Sequence, residues 1–306
     1  MRTRSTRRGA RLLVIGLVAL ACATTWAGTA SAEYRVDYTA LKIISSLQPD
    51  VAPAGANNWA CKPGAAHPYP VILVHGLFGN QHDTWYTLAP LLANNGYCVF
   101  TLNYGGHLPF PLGYVYGISQ MQDSAQELSA FVDRVRAATG AAKVDIVGHS
   151  LGATMPHYYL EFLGGDSKVH DFVGLAGAIH GTTANGLAGI ARAFGLISLA
   201  GLVVPLVPQL DPASAFLRTL NAPAIVRPGV RYTMIATRYD ELVTPSTSGF
   251  LPAAPNVTDM TVQSACPWDF AGHIGIAFDP NALRLVLNAL DPAHAKRSCQ
   301  LVPPVF

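Results

Sequence analysis

Short, almost unbroken apolar runs alternate along this chain with longer segments whose apolar residues recur at helical spacing. Val71-Ile72-Leu73-Val74, Tyr97 to Asn103, Lys143 to Val147, Asp171 to Ala178, Arg231 to Thr237 and Val257 to Gln263 read as strands. Runs of this kind suit strands buried on both faces. Thr84 to Asn94, Ala153 to Leu163 and Pro280 to Leu290 read as helices. So does a segment beginning at Asp123 or Ser124 and running to about Ala138, with Leu128, Phe131, Val132 and Val135 on one face. Strands alternating with helices predict an α/β fold, a mostly parallel central sheet with helices on both faces. Val51 to Pro70, rich in Ala, Pro, Gly and Asn, reads as an irregular lead into it. No repeat, low-complexity linker or shift of composition marks a second domain.

Two segments depart from the alternation. At the start, Arg2, Arg4, Arg7, Arg8 and Arg11 precede an apolar run from Leu12 to Ala23, and Ala30-Ser31-Ala32 supplies small residues before Glu33. That is the pattern of a secretory signal peptide, residues 1–32, cleaved near Ala32. The apolar run is well short of the ~20 residues a membrane span needs. Cys22 raises the question of a lipoprotein, but no leucine stands three places before it. The second segment, residues 186–210, is almost entirely apolar with Arg192 its only charge, and Pro205 and Pro208 interrupt it. A membrane span there would split the sheet, and an ordinary buried helix is the plain alternative. Its place between two blocks of candidate chemistry favours an apolar cap or acyl-chain site.

Charge and cysteine content change meaning once the leader is set aside. The chain has 20 Lys+Arg and 18 Asp+Glu; the leader holds five arginines and no acid, so 15 basic and 18 acidic residues remain. The basic balance belongs to the leader, and nothing suggests a nucleic-acid surface. The remaining residues, 33–306, fit one domain with no integral membrane segment and an extracellular destination. Four cysteines remain, Cys61, Cys98, Cys266 and Cys299, and an even count in an exported chain favours disulfides. Of three connectivities, Cys61–Cys98 with Cys266–Cys299 is preferred because each closes a loop within one end of the chain. Spacing this wide argues against zinc.

The candidate chemistry centres on Gly148-His149-Ser150-Leu151-Gly152, between a predicted strand and a predicted helix. A strand-to-helix turn of this pattern lifts the serine hydroxyl above the sheet. A serine needs a base beside it and donors for the oxyanion. Asp240, just past the strand Arg231 to Thr237, would face the ligand crevice; Glu241 is the runner-up, expected to face solvent. Asp145 starts a strand at the far end, and Asp166, Asp171 and Asp259 read as loop or strand-edge charges. His273 follows in a late loop and completes the order serine, acid, histidine. His180 is its competitor but precedes Asp240. His75, His149 and His157 belong to the first turn, the nucleophile turn and the helix behind it, and His294 to a charged tail. The oxyanion donors would be the backbone N–H of Leu151 and that of Leu77 in His75-Gly76-Leu77-Phe78-Gly79, with Phe78 the alternative.

Taken in order, Val71 to Gly76, Gly148 to Gly152, Tyr239-Asp240-Glu241-Leu242-Val243-Thr244-Pro245 and His273-Ile274-Gly275-Ile276-Ala277-Phe278-Asp279-Pro280 resemble the secreted actinobacterial triacylglycerol lipases of the α/β-hydrolase superfamily. The resemblance runs from about Asn58 to Pro292, with Leu151 where relatives carry Gln or Met. It implies cofactor-free hydrolysis of a lipid or other apolar ester, at an oil–water interface or in solution, through Ser150, Asp240 and His273. A polyester depolymerase or a generic esterase would use the same residues, although no linker to an adsorption module is present. A hydrolase-fold protein that binds lipid without turnover is the reading from another class.

Overall fold

The computed structural model describes Met1 and residues 33–39, 48–110, 113–189, 195–222 and 225–305. The leader expected over residues 1–32 lies, apart from Met1, outside the described residues. Tyr34–Phe306 forms one compact unit.

Six parallel strands make the central sheet: β1 (Val71–Val74), β2 (Val99–Thr101), β5 (Val144–His149), β6 (Val169–Leu175), β7 (Arg231–Ala236) and β8 (Val257–Thr261). Their spatial order is β2-β1-β5-β6-β7-β8. The chain steps outward from β1 to β2, then returns to pair β5 against the other side of β1. The order therefore reverses between β1 and β5, and an open α/β sheet leaves its ligand crevice beyond the carboxyl ends at such a point. Register aligns those ends, with Val74 opposite Gly148, His149 opposite Leu175 and Leu175 opposite Ile235.

Successive strand residues point to opposite faces, so each strand feeds two cores. Ile72, Phe100, Ile146, Phe172 and Tyr232 pack on one side with helices α2 (Met121–Thr139) and α3 (Met155–Phe162). Val71, Leu73, Val147, Val173 and Ile235 pack on the other with α1 (Leu88–Asn94) and the last helix (Pro280–Leu290). The periodic face of α2 is buried at Leu128, Val132 and Val135, while Phe131 is half-buried. The helix starts two residues before the expected cap: Gln120 precedes it and makes no side-chain cap. The expected helix from Thr84 is helical only from Leu88, because residues 81–87 form turns stitched by the Asn80 side chain. Two short antiparallel strands, β3 (His107–Phe110) and β4 (Gly113–Tyr116), were not evident in the sequence pattern. Neither was the pairing of β9 (Asp269–Ala271) with β10 (Val302–Val305).

Cys61–Cys98 and Cys266–Cys299 are both disulfide-bonded. The first ties the irregular lead to the start of β2, the second fixes the chain end beside β9. We expect no free thiol in denatured, unreduced protein that lacks the leader. Cys266→Ser with Cys299→Ser should lower unfolding free energy by ~3–4 kcal/mol, the loop-closure scale for the 33-residue separation. Denaturant unfolding of the two proteins checks this, and an unchanged midpoint would contradict it.

Candidate active site

The nucleophile turn follows from its glycines. A Cβ at Gly148 would collide with the Gly152 carbonyl, and one at Gly152 with the Val74 carbonyl. Strand β5, the turn and β1 can approach this closely only with both positions bare. Ser150 between them holds φ 57°, a left-handed conformation that costs a side-chain-bearing residue about 1–3 kcal/mol and persists only where its surroundings impose it. The Ser150 carbonyl accepts from Thr154 Oγ1 at 3.1 Å, and Thr154 Oγ1 accepts from the Ala178 N–H at 2.8 Å. The turn is thereby tied both to α3 and to the exit of β6.

Ser150 Oγ lies 2.8 Å from His273 Nε2, and His273 Nδ1 lies 2.8 Å from Asp240 Oδ2. Asp240 and His273 are buried; Ser150 is half-buried. The second Asp240 oxygen, Oδ1, accepts from the N–H groups of Leu242 (3.0 Å) and Val243 (2.6 Å). The carboxylate is thus oriented by the turn that follows β7. Glu241 departs from its expected solvent-facing role. It is half-buried, and its Oε2 accepts the backbone N–H of His273 at 3.0 Å. Consecutive acids therefore hold one histidine, Asp240 by its ring and Glu241 by its backbone.

The other histidines separate from the site or support it. His180 is exposed and bonds to the Phe250 carbonyl at 3.1 Å. His157 is buried between Phe172 and Tyr232. His149 Nε2 donates to the His273 carbonyl at 2.8 Å, a contact that sequence could not assign because the partners are 124 residues apart. Burial, followed by the neighbouring His273, pushes His149 down to about 3, so it stays a neutral donor at working pH. Burial likewise lowers His75 to about 4, and its Nδ1 donates to the Gly76 carbonyl at 2.8 Å.

Gly76 and Gly117 bring the expected oxyanion segments together. A Cβ at Gly76 would stand 3.1 Å from Ser150 Cβ; one at Gly117 would stand 3.4 Å from Leu151 Cδ2 and 3.5 Å from Leu77 Cα. Leu77 Cα and a methyl of Leu151 therefore both flank Gly117, and Phe78 follows Leu77 with φ 58°.

The apolar segment is anchored at both ends near these residues. Thr182 Oγ1 donates to the Leu242 carbonyl (2.7 Å) and Asn185 Nδ2 to the Glu241 carbonyl (3.1 Å). At the other end, the Leu206 N–H bonds the Ile118 carbonyl at 3.2 Å, and Gln209 accepts from the Met121 N–H at 2.7 Å. Between the anchors Leu187, Leu196, Leu199, Leu202 and Val203 are exposed, Leu202 by 80%. Leu196–Ala200 forms a short helix, and residues 190–194 lie outside the described residues. A buried core helix is thereby excluded for Leu196–Ala200, which has no buried residue.

Among the described residues one group could offer three ligand atoms to a metal: Asp145, His170 and Asp171, at the amino ends of β5 and β6. His170 Nδ1 lies 3.2 Å from Asp145 and 3.4 Å from Asp171, and Arg231 pairs with Asp171. The hydrogen bond to Asp145 raises His170, so the cluster neutralises itself as an ion network at the far end of the sheet. Asp171 is buried rather than the strand-edge charge its position suggests.

Residues 68–264 match the family described as lipase, class 2. The chain belongs to the class 2 lipase family. Over 103 residues it is 38% identical to a triacylglycerol lipase of Pseudarthrobacter phenanthrenivorans, and to the same degree to one of Burkholderia plantarii. That stretch is 31% of this chain and spans only 28% and 25% of those curated relatives. The fold is the α/β-hydrolase fold. It is similar to Aspergillus fumigatus lipase B, with a TM-score of 0.59 at 19% identity over 80% of this chain and 56% of that one. It is also similar to the mature form of a Bacillus licheniformis lipase, with a TM-score of 0.55 at 18% identity over 74% and 94%.

Proposed function

We propose that this class 2 lipase is an exported serine hydrolase that cleaves carboxylic esters of lipids, triacylglycerol among them, through an acyl-enzyme. The observation that carries the reading is the unbroken chain of 2.8 Å contacts from Ser150 Oγ through His273 to Asp240. His273 Nε2 takes the serine proton as Oγ attacks the ester carbonyl. Asp240 fixes the tautomer with the proton on Nδ1 and stabilises the imidazolium. The backbone N–H groups of Leu77 and Leu151 receive the oxyanion, each such donor worth ~2.7–4 kcal/mol in the transition state. His273 then protonates the leaving alcohol, and water, deprotonated by the same imidazole, releases the acid. Every proton transferred moves between groups of the chain, substrate and water.

Export is supported by the arginine-rich leader and by the two disulfides. Among the described residues no helix is long and apolar enough to cross a membrane.

The exposed leucines of the segment 186–210 would form an apolar wall for acyl chains or a lipid surface. Burying one leucine side chain contributes ~1.5–3 kcal/mol, on the order of 10- to 100-fold in turnover. Leu196→Asp and Leu202→Asp replace exposed side chains, so the fold should hold. Hydrolysis of emulsified long-chain triglyceride should fall by ~10-fold or more, and that of a soluble acetate ester by less than ~2-fold. Equal loss on both substrates, or none on either, would remove the segment from substrate binding and leave a generic esterase.

A further inference from the structure

His273 is held by its backbone as well as by its ring. The residue after Asp240 takes its N–H, through Glu241 Oε2 at 3.0 Å. The residue before Ser150 donates to its carbonyl, through His149 Nε2 at 2.8 Å. A chain neighbour of each triad partner therefore grips residue 273, one on each of its two peptide groups. A carbonyl offers only lone pairs, so His149 carries a proton on Nε2.

Both gripping side chains are themselves fixed. His149 ends β5, stands opposite Leu175 in the sheet and is 7% exposed. Its ring lies against that of His273, with centroids 5.0 Å apart. Glu241 sits in the turn after β7, and Asn185 Nδ2 donates to its carbonyl at 3.1 Å. The loop around His273 is closed by other bonds. Thr237 Oγ1 donates to the Ala271 carbonyl (2.6 Å), the Ile276 N–H to the Gly272 carbonyl (3.1 Å) and the Phe278 N–H to the Gly275 carbonyl (2.9 Å). Beyond the loop, Asn281 Nδ2 reaches back to Asp269 at 2.8 Å. None of these bonds involves residue 273. Loss of His149 or Glu241 should therefore leave the loop in place and free only the peptide groups of the histidine.

The ring contacts alone do not persist through a reaction cycle. Once Ser150 Oγ is acylated it has no proton to offer His273 Nε2. Of the two ring hydrogen bonds only that to Asp240 then remains, and a ring held by one bond can swing. The two backbone bonds are the same at every stage.

We propose that His149 and Glu241 are positioning residues, a two-sided backbone brace that keeps the His273 imidazole aligned on Ser150, Asp240 and the hydrolytic water. The brace rests on the serine-hydrolase reading for its effect on turnover, though not for its effect on the ring. A misplacement of about 1 Å at a reacting group can cost ~10²-fold in rate, so side chains that touch no substrate can have effects of that size.

His149→Phe keeps the bulk of the ring and removes the donor; Glu241→Ala removes the acceptor. Each should lower kcat on a soluble ester by ~10²-fold, with KM within ~3-fold of wild type. Glutamine is the rescue at both positions. At 149 its amide can donate where the imidazole did, and at 241 its carbonyl accepts the His273 N–H, so each should keep kcat within ~10-fold of wild type. Because both bonds hold one residue, the double variant His149→Phe/Glu241→Ala should lose less than the ~10⁴-fold product of the single losses. Glutamine variants as slow as their Phe and Ala counterparts, or a double variant at the full product, would overturn the brace. Thermal melts show which variants fold, and the half-buried Glu241 carries the test if His149→Phe does not. A measurement free of turnover separates failure of the brace from failure of the hydrolase reading: proton NMR of the His273 Nδ1–H, the proton held against Asp240. Its signal should be sharp in the wild type and the glutamine variants and broadened by exchange with water in His149→Phe and Glu241→Ala. A signal equally sharp in all of them refutes the brace. The expected pattern in a protein that hydrolyses no ester would refute the function and leave the brace.

Discussion

Ser150→Ala should lower ester hydrolysis by about 10⁶-fold and leave the fold standing, because removing a triad nucleophile costs about as much as removing the whole triad. Alanine keeps the Cβ against which the Gly76 turn packs, and the left-handed backbone at position 150 is imposed by contacts that do not involve Oγ. What the variant lacks is the atom proposed to bond the acyl carbon and the proton that His273 would accept. The measurement is kcat on a p-nitrophenyl ester beside a thermal melt. A fluorophosphonate probe should add its mass once to the wild type and not at all to the variant. A folded Ser150→Ala protein with turnover within ~10-fold of wild type would remove Ser150 from the chemistry.

The parts of this site that were legible in the sequence are those whose constraint is local. Gly148 and Gly152 are required by two backbone collisions that lie within one turn of Ser150, and any sequence making that turn must show them. Asp240 and His273 were legible by chain order, since a parallel sheet presents the loops after successive strands at one edge. Contacts set by tertiary packing were not legible. His149 reads as a member of the nucleophile turn, but its bond to the His273 carbonyl depends on where a loop 124 residues away returns. Glu241 read as a solvent-facing charge because nothing local shows that the His273 N–H needs an acceptor there. Nothing local in the sequence marks Asp269 and Asp279 as buried, and their burial emerges only in the packed fold. The apolar segment is the reverse case. Its composition suited a core helix as well as a wall, and the exposure of Leu196, Leu199 and Leu202 separates the two.

Asp240→Asn should lower kcat by about 10⁴-fold, whereas Glu241→Gln should cost less than ~10-fold, although both remove one negative charge beside the same histidine. The difference follows from which atom each acid holds. Asp240 Oδ1 is committed to the N–H groups of Leu242 and Val243, so an asparagine at 240 must keep its carbonyl oxygen there and turn its amide toward His273 Nδ1. The ring then has to accept at Nδ1 and carry its proton on Nε2. In that tautomer Nε2 cannot take the proton of Ser150 Oγ. Glu241 bonds only the backbone N–H of His273, and a glutamine carbonyl accepts that bond equally well without touching the ring tautomer. Steady-state kcat on a soluble ester, with melts to show that both variants fold, decides the matter. A crippling Glu241→Gln beside a mild Asp240→Asn would exchange the roles of the two acids.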